Sequence, residues 1–116
     1  MVPRTFDPEN FGNQAFEVAG ILRALANERR LMILCTLVES GESNVSALAE
    51  AVELSQSALS QHLAKMRDEG LVTFRRESQT LWYRIADPRI EELLATLHNL
   101  FCRPVKAKGK RVNRTS

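Results

Sequence analysis

Two cysteines lie 67 residues apart in a 116-residue chain, Cys35 inside "RLMILCTL" and Cys102 inside "NLFCRP". A protein thiol can fill apolar space, ligate a soft metal, or react as a thiolate. On a helical wheel Cys35 falls with Leu31, Leu34 and Val38 on an apolar stripe. Cysteine is among the most buried residue types, so that stretch alone reads as core filling. Cys102 falls off the Leu93, Leu97, Leu100 stripe at the end of a helical pattern, where a thiol is more accessible. His98, four residues earlier, is placed to stabilise its thiolate, although helix composition explains a surface histidine there equally well. The chain has only two histidines, so a four-ligand zinc site has few nitrogen or sulfur donors to draw on. No Ser/His/Asp set, Gly-rich phosphate loop or paired carboxylates can be assembled, so neither an enzyme nor a cofactor is expected.

A second set of residues fits another chemistry. In "QSALSQHLAKMRDEG", Leu59, Leu63 and Met66 fall on one side of a helix, while Ser57, Ser60, Gln61, Ala64 and Lys65 fall on the other. The outer set is small or carries donors and acceptors suited to base edges, as a helix in the major groove requires. Ser55, Gln56 and Ser57 surround the helix start, whose amides can hold a phosphate. His62 reads as a DNA-side or packing residue. Arg75, Arg76 and Gln79, in the stretch that follows, would lie over backbone phosphates and make binding weaken with salt. A solvated polar helix face is the plainer alternative, and the basic segment beside it favours nucleic acid.

The elements that must position these residues are legible as patterns. Phe16, Ala19, Ile21, Leu22 and Leu25 predict a first helix over 13–25. Asn27 is placed to cap a second over 28–39 that ends at Gly41, and a third, opened by a hydroxyl residue, spans 46–52. Ser55 caps the fourth, with Gly70 at its left-handed terminus. After Gly70 the period shortens: "LVTFRRESQTLWYRI" alternates apolar residues around the polar turn "ESQT", a β-hairpin. Asp87-Pro88 opens a last helix over 89–102, stopped by Pro104. The fold class is therefore mainly α with a small β-hairpin wing, a winged helix-turn-helix in the order helix, helix, helix, helix, strand, strand, helix. Residues 1–12 form an arm, 13–102 the domain, and 103–116 a disordered basic tail.

Composition narrows the setting. Residues 1–102 hold ten Lys or Arg against fourteen Asp or Glu, whereas 103–116 hold six basic residues and no acid, so the formal charge of +2 belongs to the tail. Such a tail either attracts phosphates or simply solubilises the end. No apolar run approaches the roughly 20 residues that span a bilayer. The start "MVPRTFDPEN" lacks the apolar core of a secretory signal, which places the chain in the cytoplasm, away from any membrane. In that reducing compartment two cysteines speak for packing, metal or redox chemistry more than for a structural disulfide.

The strings "LANERRLMILCTL" and "LSQSALSQHLAKMRDEGLVTFRRESQTLWYRI" resemble the ArsR/SmtB family of bacterial winged-helix repressors over roughly residues 13–102. The resemblance implies a homodimer through the first and last helices, which reads a palindromic operator with two recognition helices about 34 Å apart. Arsenic-type members carry a Cys-x-Cys pair in the third helix, which here reads "NVSALAEAV" without cysteine. Zinc-type members use Asp and His ligands along the last helix, where this chain has Asp87, Glu91, Glu92 and His98 but no Asp-x-His pair. The positions of Cys35, in an "LxILC"-like run, and Cys102, after an aromatic residue at the helix end, are similar to those of the persulfide-sensing branch that includes BigR, SqrR, HlyU and YgaV. That similarity implies that reactive sulfur joins Cys35 to Cys102 within one subunit, directly or through inserted sulfur, and that the linked form releases DNA. A metal-responsive repressor and a winged-helix protein-interaction module are the alternatives.

Overall fold

The computed structural model describes residues 8–101, with side chains from residue 11; Cys102 and the expected tail lie outside the described residues. In chain order the elements are α1 (Pro8–Leu25), α2 (Glu28–Ser40), β1 (Ser43–Asn44), α3 (Val45–Val52), α4 (Gln56–Asp68), β2 (Val72–Glu77), β3 (Thr80–Ile85) and α5 (Pro88–Phe101). This is the expected winged helix-turn-helix with one added strand. β1 pairs with β3, Ser43 opposite Tyr83 and Asn44 opposite Trp82, which makes a three-stranded antiparallel sheet in the order β1-β3-β2. Two residues are too short to show any alternation, so nothing local announces β1.

Local chemistry sets most helix ends. The Asn27 side chain accepts from the Arg30 amide at 3.0 Å and starts α2, and Gly41 closes it at φ 80°. The Ser55 hydroxyl accepts from the Ala58 amide at 3.1 Å and starts α4. Gly70 then takes φ 80° as the chain leaves α4, with the Leu71 amide bonded back to Met66. Two ends differ from expectation. α3 is capped by Asn44, whose side chain accepts from Ala47 at 2.8 Å, not by a hydroxyl residue. α1 begins at Pro8, five residues before the expected 13, so the stretch read as an arm overlaps it. Proline is compatible with a first turn because its missing amide has no partner to lose there, and "PENFG" has too little apolar periodicity to signal a helix.

One core unites the elements. Ile33, Leu34 and Leu37 of α2 meet Leu48, Ala49 and Val52 of α3, Leu59, Leu63 and Met66 of α4, Val72, Tyr83 and Ile85 of the sheet, and Ile90 and Leu94 of α5. The α4 residues are those expected to face inward. Among the described side chains of α1, those of the last turns reach this core, with Leu25 buried and Ile21 and Ala24 packed beside it. Phe11, Phe16, Val18 and Leu22 of α1 and Leu100 and Phe101 of α5 are left exposed. Among the described residues no helix is long and apolar enough to cross a membrane.

Candidate nucleic-acid interface and thiol groove

With Leu59, Leu63 and Met66 buried, α4 turns Gln56, Ser57, Ser60, Gln61 and Lys65 to solvent. Ser55 is exposed too, its hydroxyl engaged as the helix cap, and His62 is half-buried at the edge between the two faces. α3 and α4 are joined by a tight turn in which Glu53 adopts the left-handed conformation at φ 60°. That turn redirects the chain from α3 into α4, whose inner face packs on the core and whose polar face is left to solvent. Arg67, which the sequence pattern did not single out, is exposed and stacks its guanidinium over the Phe74 ring at 5.1 Å, joining α4 to the wing. The signal was available: Arg67 lies two residues past Lys65, in the last turn of the helix.

The wing separates its two neighbouring arginines. Val72, Phe74 and Arg76 share the sheet face that packs on the helices, opposite Ile85, Tyr83 and Leu81. Thr73, Arg75 and Glu77 share the other face. Arg76 is exposed beyond the end of the core, and Gln79 is exposed in the two-residue turn Ser78-Gln79. Arg75 is committed elsewhere. Its Nε and Nη2 donate to the two carboxylate oxygens of Glu42 at 2.8 and 3.1 Å, its Nη1 reaches Glu77 at 3.3 Å, and its guanidinium lies 5.7 Å from the Trp82 ring centroid. Hydrogen bonding by Arg75 holds the Glu42 carboxyl below its usual range, and the Arg75 guanidinium is held protonated in return. The expectation that Arg75 lies open to a phosphate therefore meets an existing ion pair, whose partner is 33 residues away in sequence.

Cys35 is half-buried on α2, packed against the core rather than inside it. It lines a groove of about 560 Å³ between α2 and α5, with Leu31, Met32, Leu97 and Phe101 as apolar walls and Glu28, Glu39 and His98 among the polar lining. The apolar stripe found on the wheel is real, since Leu34 is fully buried. Cys35 occupies the edge of that stripe facing α5. His98 Nε2 lies 3.9 Å from Glu39 of α2, across the groove. Cys102, the other expected thiol, lies outside the described residues; Phe101, bonded to it, lines the groove.

Asp87, one of the acidic residues weighed as a metal ligand, is engaged locally. It accepts from the Arg89 backbone amide at 2.8 Å and from its Nη2 at 2.9 Å. The Arg89 side chain holds the Asp87 carboxyl below its usual range, and its own pKa is raised. Arg89 also reaches Glu17 of α1 at 3.1 Å.

A polar helix projecting from a helix-turn-helix beside a β-wing defines a winged-helix DNA-binding protein. A family model described as "Bacterial regulatory protein, arsR family" matches residues 27–73. "Transcriptional activator HlyU" of Vibrio cholerae is 49% identical over 82 residues, 71% of this chain and 75% of that protein. The structure of reduced HlyU from Vibrio cholerae superposes with a TM-score of 0.74 at 42% identity, covering 82% of this chain and 99% of that one. The transcriptional repressor BigR from Xylella fastidiosa superposes with a TM-score of 0.75 at 35% identity, covering 85% and 100%. The chain belongs to the ArsR family of bacterial transcriptional regulators, and its relatives are regulators rather than enzymes.

Proposed function

We propose that this ArsR-family chain binds a palindromic operator as a homodimer and that the thiols Cys35 and Cys102 control its affinity, with reactive sulfur species as inducer. The observation that carries the thiol reading is the groove. Cys35 is half-buried on one wall, and the opposite wall runs to Phe101, the residue before Cys102. A fully buried Cys35 would have argued for packing alone. In this reading Cys102 attacks the sulfane sulfur of a low-molecular persulfide, becoming a persulfide and releasing the donor as a thiol. The Cys35 thiolate then attacks the inner sulfur of Cys102–S–SH, closing a disulfide and expelling hydrosulfide. If both cysteines carry an extra sulfur, the same attack leaves a trisulfide and again one hydrosulfide.

The DNA side rests on the exposed α4 set, Ser55, Gln56, Ser57, Ser60, Gln61 and Lys65, with His62 at its edge, and on Arg76 and Gln79 at the wing tip. Arg75 joins this set only if it leaves Glu42. The dimer rests on the exposed Phe16, Leu22, Leu100 and Phe101 of the first and last helices, an apolar display that a partner copy would cover.

The test treats the reduced protein with an inorganic tetrasulfide, maps bridged cysteines by mass spectrometry, and measures affinity for a duplex selected from random DNA by the reduced protein. A Cys35–Cys102 bridge with loss of duplex binding is the expected result, and Cys35→Ser should keep binding DNA in both states. Absence of the bridge together with retained DNA binding would sink the thiol reading. A tight metal complex of the reduced protein that releases DNA would replace it with the metal-responsive one.

A further inference from the structure

Three helix ends meet at Arg30. This residue is the third of α2, and its Nη1 donates to the Ala24 carbonyl in the last turn of α1 at 3.0 Å. Nη1 and Nη2 also donate to the two carboxylate oxygens of Glu69, the C-cap of α4, at 2.8 and 2.9 Å. The Arg30 side chain is 13% exposed and that of Glu69 44%, so the guanidinium is largely covered while the carboxylate lies at the surface of the joint. A cation here faces the negative ends of two helix dipoles. The two-pronged contact also fixes direction as well as distance, which a lysine could not do.

α2 is a continuous helix from Glu28 to Ser40, so Arg30 and Cys35 move together on one rigid rod. Glu69 ends the helix that carries the outward-facing Ser57, Ser60, Gln61 and Lys65. We infer that the Arg30–Glu69 fork is the positioning contact through which a change at Cys35 reaches the recognition helix. This rests on the thiol-control reading above. When α2 is tied to the end of α5 and shifts, Arg30 carries Glu69 with it, and α4 turns about its buried Leu59, Leu63 and Met66 contacts. Neither Arg30 nor Glu69 touches DNA in this scheme; both act through the orientation of α4.

The test uses the full chain as wild type, Glu69→Gln, Arg30→Lys and the double variant. Each is compared reduced and after sodium tetrasulfide, at equal extents of Cys35–Cys102 bridging measured by intact mass, on the same selected duplex. Glu69→Gln keeps one acceptor for Arg30 and all of the α4 core contacts, so the fold and the reduced affinity should hold, the latter within about threefold. Bridging should weaken wild-type binding by about 100-fold, within the usual range of coupling, and weaken either variant by less than about 10-fold. The double variant should behave like the singles, because all three lose the same two-pronged contact. A lower unfolding midpoint would accompany a merely structural contact too, so the ratio of reduced to bridged affinity is the deciding readout. If bridged variants lose as much affinity as bridged wild type, the inference is overturned while thiol control stands. If wild type neither bridges nor releases DNA, thiol control itself fails and the inference falls with it.

Discussion

Arg75 and Arg76 are adjacent in sequence and opposite in circumstance. Strand geometry turns them to different faces of the wing, and Glu42 neutralises only Arg75. Phosphate contacts contribute through counterion release, and a guanidinium already paired with a carboxylate releases little. Arg76→Ala should therefore weaken binding to every duplex similarly and reduce the slope of log affinity against log salt by about one. Arg75→Ala should leave that slope nearly unchanged. Fluorescence anisotropy over a salt series measures both, and equal slope changes would show that Arg75 leaves Glu42 on DNA. Cys35 makes the same point about neighbours: the groove it lines is walled by Leu97, His98 and Phe101 of α5, more than 60 residues further along the chain.

At the scale of elements, α4 is bounded by two local devices that can be removed separately. Ser55→Ala deletes the acceptor for the Ala58 amide and should cost about 1 kcal/mol. Gly70 sits at φ 80° with no atom within 4 Å of where a Cβ would be, so Gly70→Ala carries a backbone penalty alone, about 1–2 kcal/mol. Thermal unfolding should show both variants folded, with midpoints lowered by about 4–8 °C per kcal/mol for a domain of this size. A Gly70→Ala variant as stable as wild type would mean the turn relaxes out of the left-handed region. These ends were legible beforehand because a cap and its amide are three residues apart. The start of α1 and the Asn44 cap were less so, one for want of apolar periodicity and the other because the capping residue also belongs to an unannounced strand.

For the whole molecule, the question is what covers the outer side of α1 and α5. Phe16 is 82% exposed and Phe101 79%, values that a folded chain seldom leaves on large aromatic side chains without a partner. Phe16→Glu should shift the mass measured by light scattering from twice that of the chain to that of one chain. It should also weaken duplex binding by at least 10-fold, since a monomer offers one reading helix where a palindrome needs two. A monomeric wild type would overturn the dimer at once. The same substitution should leave the far-ultraviolet helical signal intact, because α1 is anchored to the core by Leu25 and not by Phe16.

What the sequence by itself determined was most of what is written in short-range chemistry: helical periods, the Asn27 and Ser55 caps, the glycines at positive φ, the two faces of α4, and the helix-turn-helix and wing they compose. The tertiary structure decided what depends on residues brought together from afar. It paired Glu42 with Arg75 and Arg30 with Glu69, 33 and 39 residues apart, recruited Ser43 and Asn44 into the sheet, and opened the edge of the Cys35 stripe toward α5. The physical reason is common to all of these. Periodicity and capping act within one or two turns, whereas an ion pair, a two-residue strand or the exposure of a thiol is set by whichever distant surface the core packs beside it.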